Sequence, residues 1–196
     1  MILFVLSKIL ILITLVKMSS QYPNGAPISV CQTMIPGHQG TFPQPNPAPY
    51  IFKISSSSYK NGKPIRVQIL GPGYRGLLLE SRTYDKTMLI GKWVFPPNDT
   101  KILQCPDNSD GAITHSNTNL KTQSTTYTWM PPEEDCPPII FFIATVAESH
   151  DVYWLGVKSA AIWKDPEATC GTSHITWRGV HCTIAFFQLA IFLAFQ

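Results

Sequence analysis

No long run of helical periodicity appears in this chain of 196 residues, and no sequence unit repeats along it. Helical bundles and solenoids are thereby excluded, since each needs an apolar stripe or a unit recurring at fixed spacing. No Cys-x-x-Cys occurs, so a zinc ribbon or a thioredoxin-like redox pair has no starting ligands. No Gly-x-Ser-x-Gly elbow accompanies the serines. The five histidines (His38, His115, His150, His174 and His181) are not spaced as a metal pair on one strand or helix. No catalytic constellation, cofactor site or metal site is therefore expected. Excess charge is missing as well. With Lys8, Lys17 and Arg178 of the two ends set aside, the 15 basic residues fall to 12, against 12 acidic ones. A nucleic-acid-binding domain is usually strongly basic, and no such partner is expected.

What is present is a series of short β runs separated by turn signals. Pro49 to Ile54 is the first, and the Ser tract Ser55–Ser58 follows it. Asn61-Gly62 marks a tight turn, after which Ile65–Leu70 alternates apolar and polar as a half-buried strand should. Tyr74–Tyr84, Gly91–Phe95, a run beginning near Thr125 and ending at Trp129, Ile139–Ala147 and Val152–Trp163 continue the series. Ile139–Ala147 is almost wholly apolar and reads as a central strand covered on both faces. About seven short strands in one domain predict a β-sandwich. Trp93, Trp129, Trp154 and Trp163, with Tyr50, Tyr74 and Tyr153, are the aromatic core candidates.

Charge is uneven along the chain. The charged residues from Lys53 to Lys101 are mostly basic and those from Asp107 to Glu167 mostly acidic. Either strands of the two halves pair and the charges interleave, or the first half presents a basic face to anionic glycans.

Both ends are apolar. Met1–Val16 followed by Lys17-Met18-Ser19-Ser20 reads as a secretory signal peptide over residues 1–20, with a retained signal anchor as the alternative. Residues 171–196 run from the small residues Gly171-Thr172-Ser173 through a polar spacer to an apolar tail. That is the layout of a glycosylphosphatidylinositol signal, with the lipid on Gly171 or Ser173. A short membrane tail and a truncated longer protein are the other readings. Between the ends lie residues 21–170, the size of one domain. An exported chain usually oxidises its cysteines. Cys31, Cys105, Cys136 and Cys170 lie in that domain and allow three pairings, while Cys182 sits at the edge of the tail.

Three motifs invite a function. Gly71-Pro72-Gly73-Tyr74-Arg75-Gly76 matches a dinucleotide fingerprint in letters only. A strand-like Leu77-Leu78-Leu79 follows where a helix is required, so the glycines are read as a turn beside a strand. Asp107-Asn108-Ser109-Asp110-Gly111 has some character of a calcium loop but lacks its register, and is read as an acidic surface turn. Asn98-Asp99-Thr100 is a glycosylation sequon in a Pro-flanked loop.

Read together, a set of ordered blocks carries more. Gly25-Ala26-Pro27, Cys31, Met34-Ile35-Pro36-Gly37-His38 and Pro49-Tyr50 come first. Arg75-Gly76-Leu77-Leu78-Leu79-Glu80-Ser81-Arg82, Gly91-Lys92-Trp93, Thr114-His115-Ser116, Trp129-Met130-Pro131-Pro132 and Phe141–Val146 follow. In this order they resemble the reeler (reelin N-terminal) domain, found in reelin, F-spondin, insect defence proteins and ferric-chelate reductases. The resemblance implies an all-β, immunoglobulin-like antiparallel sandwich with disulfides Cys31–Cys105 and Cys136–Cys170. It implies an extracellular protein that binds rather than catalyses: an innate-defence protein recognising a microbial surface glycan. The alternative is a matrix or adhesion module for a glycosaminoglycan or receptor. Ferric reductase activity is not expected, because such enzymes add a haem-binding module and a multi-helix membrane module. His115, in the family-like Thr-His-Ser, is expected to hydrogen-bond within a turn.

Overall fold

The computed structural model describes residues 22–86 and 88–171. Among them, eleven strands form two facing sheets. The smaller sheet runs β1 (Ile51–Ile54), β3 (Ile65–Leu70), β8 (Thr126–Met130) and β5 (Lys92–Val94). The larger runs β2 (Ser58–Tyr59), β11 (Ile162–Lys164), β9 (Ile139–Ala147), β4 (Gly76–Thr83), β7 (Asn108–His115) and β6 (Thr100–Cys105). Its seventh strand, β10 (Tyr153–Lys158), shares the edge of β9 with β11. The fold is the all-β sandwich that the alternating runs predicted, and β3 and β9 start and end at the expected residues.

The larger sheet is covered on both faces. Side chains of a strand point alternately to opposite sides, so β4 sends Leu77 and Leu79 inward and Leu78, Glu80 and Arg82 outward. The inner layer packs Ile65, Val67, Ile69 and Trp129 of the small sheet against Leu79, Ile113, Phe142 and Val146 of the large one. Trp93 and Trp129 each lie 5.4 Å from the Phe142 ring, centroid to centroid. On the outer face the N-terminal lead-in, including a 3-10 turn at Ile28–Val30, lays Val30, Cys31 and Met34 over Leu78, Ala112, Phe141 and Ile143. This double cover is why β9 carries almost no polar residue.

Four details differ from the sequence expectation. The stretch from Thr100 to His115, expected as loop and acidic turn, is the β6–β7 hairpin, turning at Pro106-Asp107. Asn108–Gly111 looks like a turn but is strand, paired with β6, and the Asn108 side chain is satisfied there: Nδ2 donates to Gly91 O at 2.8 Å and Oδ1 accepts from Asp110 N–H at 3.1 Å. The expected last strand is two, β10 and β11, broken at Ser159-Ala160-Ala161. Pairing is not wholly antiparallel: β2 and β11 are parallel, since the Ser tract crosses from the small sheet to the edge of the large one. Trp163 is not core; it is 55% exposed, on β11 beside the two-residue β2. The other aromatic candidates are buried, apart from the half-buried Trp154.

The basic and acidic halves do pair with each other. β3 and β5 join β8, β4 joins β7 and β9, and β2 joins β11. Lys60 and Glu167 close an ion pair across that seam at 2.5 Å. Strands of the two halves thus lie side by side, as the interleaved reading of the charge pattern requires.

Candidate binding cleft

The densest motif of the sequence, Leu77–Arg82, turns out to fasten the lead-in. Arg82 is 5% exposed. Its Nε donates to Glu80 Oε2 at 2.7 Å, Nη1 donates to Lys86 O at 2.7 Å, and Nη2 reaches Cys31 O of the lead-in. Burial raises the Glu80 carboxyl to about 7, against the opposing pull of Arg82. A buried ion of this kind persists when it is paired and hydrogen-bonded. Sulfurs of Cys31 and Cys105 lie within 4.8 Å of the Glu80 carboxylate. Those sulfurs are joined as a disulfide and offer no thiolate, so the trio is not assigned as a metal site. Gly71 and Gly73 sit in the β3–β4 turn, where a Cβ on Gly71 would stand 2.5 Å from Pro49 O. The glycine motif is a close turn, as its following strand implied.

Above the start of β4 the lead-in arches away from the sheet and leaves a cleft of about 160 Å3. Pro27, Val30 and Met34 form its outer wall, and Leu78, Thr145 and Ala147 its floor, beside the backbone of Leu77, whose side chain enters the inner core. His115 closes one end. Its Nε2 lies 3.0 Å from Tyr22 O, which only accepts, so Nε2 carries the proton; Nδ1 then accepts from Leu77 N–H at 3.2 Å. The neighbouring Thr114 hydroxyl donates to Leu77 O at 2.7 Å and accepts from Ala26 N–H at 2.9 Å. These two residues therefore tie β7 to the lead-in and to β4. The expectation of a bond within a turn is corrected: His115 ends a strand and bridges segments far apart in sequence. Burial lowers its pKa, so it stays neutral at pH 7.

At the other end, His38 stacks on His150, ring centroids 4.6 Å apart, with Tyr153 edge-on to His38 at 5.1 Å. His150 Nδ1 pairs with Asp151 at 2.6 Å. Burial, then the adjacent His150, lowers the pKa of His38. His38 Nδ1 and His150 Nε2 have no hydrogen-bond partner among the described residues. This grouping of histidines escaped the sequence reading, because its members lie more than thirty residues apart and no spacing rule joins them. The polar rim is completed by Arg75, whose Nη1 donates to Thr118 O at 2.9 Å.

The remaining expected residues are dispersed. Both disulfides are formed as the resemblance implied: Cys31–Cys105 pins the lead-in to β6, and Cys136–Cys170 clasps the end of the domain to the β8–β9 connection. Asn98 is exposed in a turn closed by Thr100 N–H to Pro97 O at 3.1 Å. Gly171 is exposed and donates to Glu133 O at 3.1 Å. Ser173, Cys182 and the two apolar ends lie outside the described residues.

Two face-to-face sheets, a lead-in strapped over the outer face by a disulfide and a buried arginine, and a cleft beneath that strap define a class of β-sandwich. Its family follows from comparison with known proteins. A family model described as "Reeler domain" matches residues 29–169, and the chain belongs to the Reeler-domain family. It is 34% identical over 158 residues to "Putative defense protein 3" of Antheraea mylitta, an alignment covering 79% of this chain and 93% of that protein. It is 32% identical to "Ferric-chelate reductase 1" of Bos taurus over 81% of this chain, but only 28% of that longer protein. The crystal structure of the human F-spondin reeler domain superimposes with a TM-score of 0.50 at 13% identity, covering 64% of this chain and 95% of that one. This last likeness establishes the fold alone.

Proposed function

We propose that this chain is a non-enzymatic, extracellular binding protein of innate defence that recognises a microbial surface glycan. The observation that carries the reading is the near end-to-end match with the Antheraea mylitta defence protein, 93% of whose length is aligned. The ferric-chelate reductase shares this region as little more than a quarter of its own length. The proposal therefore assigns the chain neither haem nor ferric reduction; a Soret band in the purified protein would count against it. Extracellular placement is supported by the two disulfides and by the relatives. The sequon asparagine Asn98, exposed in its turn, is assigned as a glycan acceptor.

Attachment to the outer cell surface through a lipid on Gly171 or Ser173 belongs to the same reading. Gly171 follows the last domain cysteine and lies exposed at the edge of the fold. Phosphatidylinositol-specific phospholipase C should release the protein from intact cells. Protein that stays behind with a C-terminal peptide ending at Gln196 would rule the anchor out.

The deciding test for the ligand is co-sedimentation of the protein with bacteria and with isolated cell-wall glycans, beside a heparin column. Binding to microbial glycan and elution from heparin near ~0.15 M salt are expected, because interleaved charge leaves only screened surface attraction. Retention on heparin at high salt, with no microbial binding, would instead favour a matrix or adhesion module.

A further inference from the structure

We propose that the cleft under the lead-in is a binding site for small amphipathic anions: an apolar body of about six carbons carrying one carboxylate or similar acid. The inference concerns a different class of ligand from the surface glycan above and rests on the cleft alone. Two observations carry it. The first is shape and lining. The floor and outer wall are mostly apolar, the Thr145 hydroxyl being spent on Met34 O at 2.6 Å, and about 160 Å3 is available. A dry apolar cavity of comparable size holds a benzene ring. The second is charge. Among the described residues no carboxylate lines the cleft, and the lining residues able to carry a positive charge are Arg75, His38, His115 and His150.

Arg75 is suited to hold the acid group. Its side chain is exposed at the mouth and oriented by the Thr118 carbonyl. None of the ion pairs among the described residues engages it. A guanidinium fixed by one hydrogen bond keeps other N–H groups free for a bidentate carboxylate. Asp151, the acid nearest this rim in sequence, is taken by His150. Glu148 is the acceptor of the Tyr50 hydroxyl at 3.3 Å. His115 is neutral and spends both ring nitrogens on the backbone, so it walls the site and does not charge it. An apolar tail would then lie along Leu78, Val30 and Met34, with its acid at Arg75.

The test uses the full chain as recovered from expressing cells without detergent, with hexanoate, hexan-1-ol and hexyltrimethylammonium as probes. Saturation-transfer NMR reads the ligand, and the imidazole signals of His38, His115 and His150 report occupancy of the cleft. Hexanoate should bind with a Kd on the order of 1 mM, which suits a ligand of so few atoms, and should shift the His115 and His38 signals. Hexan-1-ol should bind about three- to fivefold more weakly, and the cation should not bind. Arg75→Gln should bring hexanoate down to the level of the alcohol and leave the alcohol unchanged. Val30→Trp, which crowds the outer wall, should weaken both. The proposal is overturned if hexanoate at about 20 mM, well above that Kd, leaves the histidine signals unmoved. It is equally overturned if the cation binds as well as the acid, or if Arg75→Gln is silent. An occupied cleft, filled by either apolar end of the chain, would show as absent binding together with histidine signals that move on removal of that end, and this too overturns the proposal. Weakened hexanoate binding in Arg75→Gln with bacterial co-sedimentation intact separates the two readings.

Discussion

The two faces of the large sheet are held by different physics. On the inner face, Trp93, Trp129, Phe142 and the aliphatic residues of β3 and β4 interlock by shape, and the few polar atoms there are tyrosine hydroxyls and indole N–H groups. On the outer face the apolar layer is smaller, and the lead-in is kept in place by fasteners: the Cys31–Cys105 bridge, the Arg82 guanidinium on Cys31 O, Thr114 on Ala26, and His115 on Tyr22. A short extended segment cannot bury enough apolar surface to offset its own ordering entropy, so bonds of higher specificity make up the difference. The inner face depends mainly on volume and the outer on charge state and oxidation. The cleft lies under the second.

That contrast can be broken from either side. Trp129→Ala should have the largest effect. The ring is wholly buried and its Nε1 donates to Ile90 O at 3.0 Å. A loss of about 3–5 kcal/mol in denaturant-induced unfolding is expected, felt across the domain. Arg82→Met should cost roughly 3 kcal/mol, because it strands the Glu80 carboxyl and frees the carbonyl of Cys31. If the contrast holds, hydrogen exchange in this variant accelerates first at residues 26–38 and only later in β3 and β8. Uniform acceleration would show that the faces do not open separately. Converting Cys31 and Cys105 together to Ala should cost about 2–4 kcal/mol with the same local signature.

Acid should act on the outer face in two opposing ways. His115 and His38 have pKa values held below the ordinary 6.5 by burial. The unfolded chain thus takes up their protons first, and their share of stability, complete above about pH 6.5, is lost as pH falls toward the folded values. Glu80 runs the other way. Its folded pKa of about 7 stands above the ordinary 4.5, so the folded state holds the extra proton between those values and loses stability as pH rises through them. Glu80→Gln removes the second effect. The rise in stability from pH 5 to 7 should then steepen by roughly 1–2 kcal/mol, read as denaturation midpoints across that range. An unchanged slope would mean that Glu80 does not titrate there. The smallest effect should come from Trp163→Ala. The exposed ring should leave stability within about 0.5 kcal/mol of the parent, in contrast with Trp129.

How legible each face was in the sequence follows from the same difference. Inner-face strands announce themselves by periodicity: the alternation of Ile65–Leu70 and the apolar run Ile139–Ala147 gave both boundaries. The β6–β7 hairpin stayed hidden because Asn108-Ser109-Asp110-Gly111 has turn composition, and it is strand through pairing with β6 and the Asn108 bond to Gly91 O, which no local pattern announces. The break between β10 and β11 carries no Gly or Pro at Ser159-Ala160-Ala161 to mark it. Trp163 was misplaced because burial of an aromatic depends on what lies above it, and nothing local says that the cover stops there. The block Leu77–Arg82 stood out as a motif, but its role as a fastener needed the lead-in carbonyls in place. The cleft was unreadable in one dimension, since His38, Arg75, His115 and His150 meet only through tertiary structure.

The position of β9 also bears on how the molecule assembles. It lies between β4 on one side and β10 and β11 on the other, yet it begins at residue 139, after eight of the eleven strands. A chain emerging from its N-terminus reaches the middle of its main sheet late, holding unpaired edges and bare aromatic rings until that strand arrives. Contacts so distant in sequence make folding slow, and the waiting intermediates are the stage at which chains aggregate. The disulfide spans, 31 to 105 and 136 to 170, follow one another without overlap, so neither bridge must wait for the other to close. The first can tether the half-made sandwich before its central strand exists.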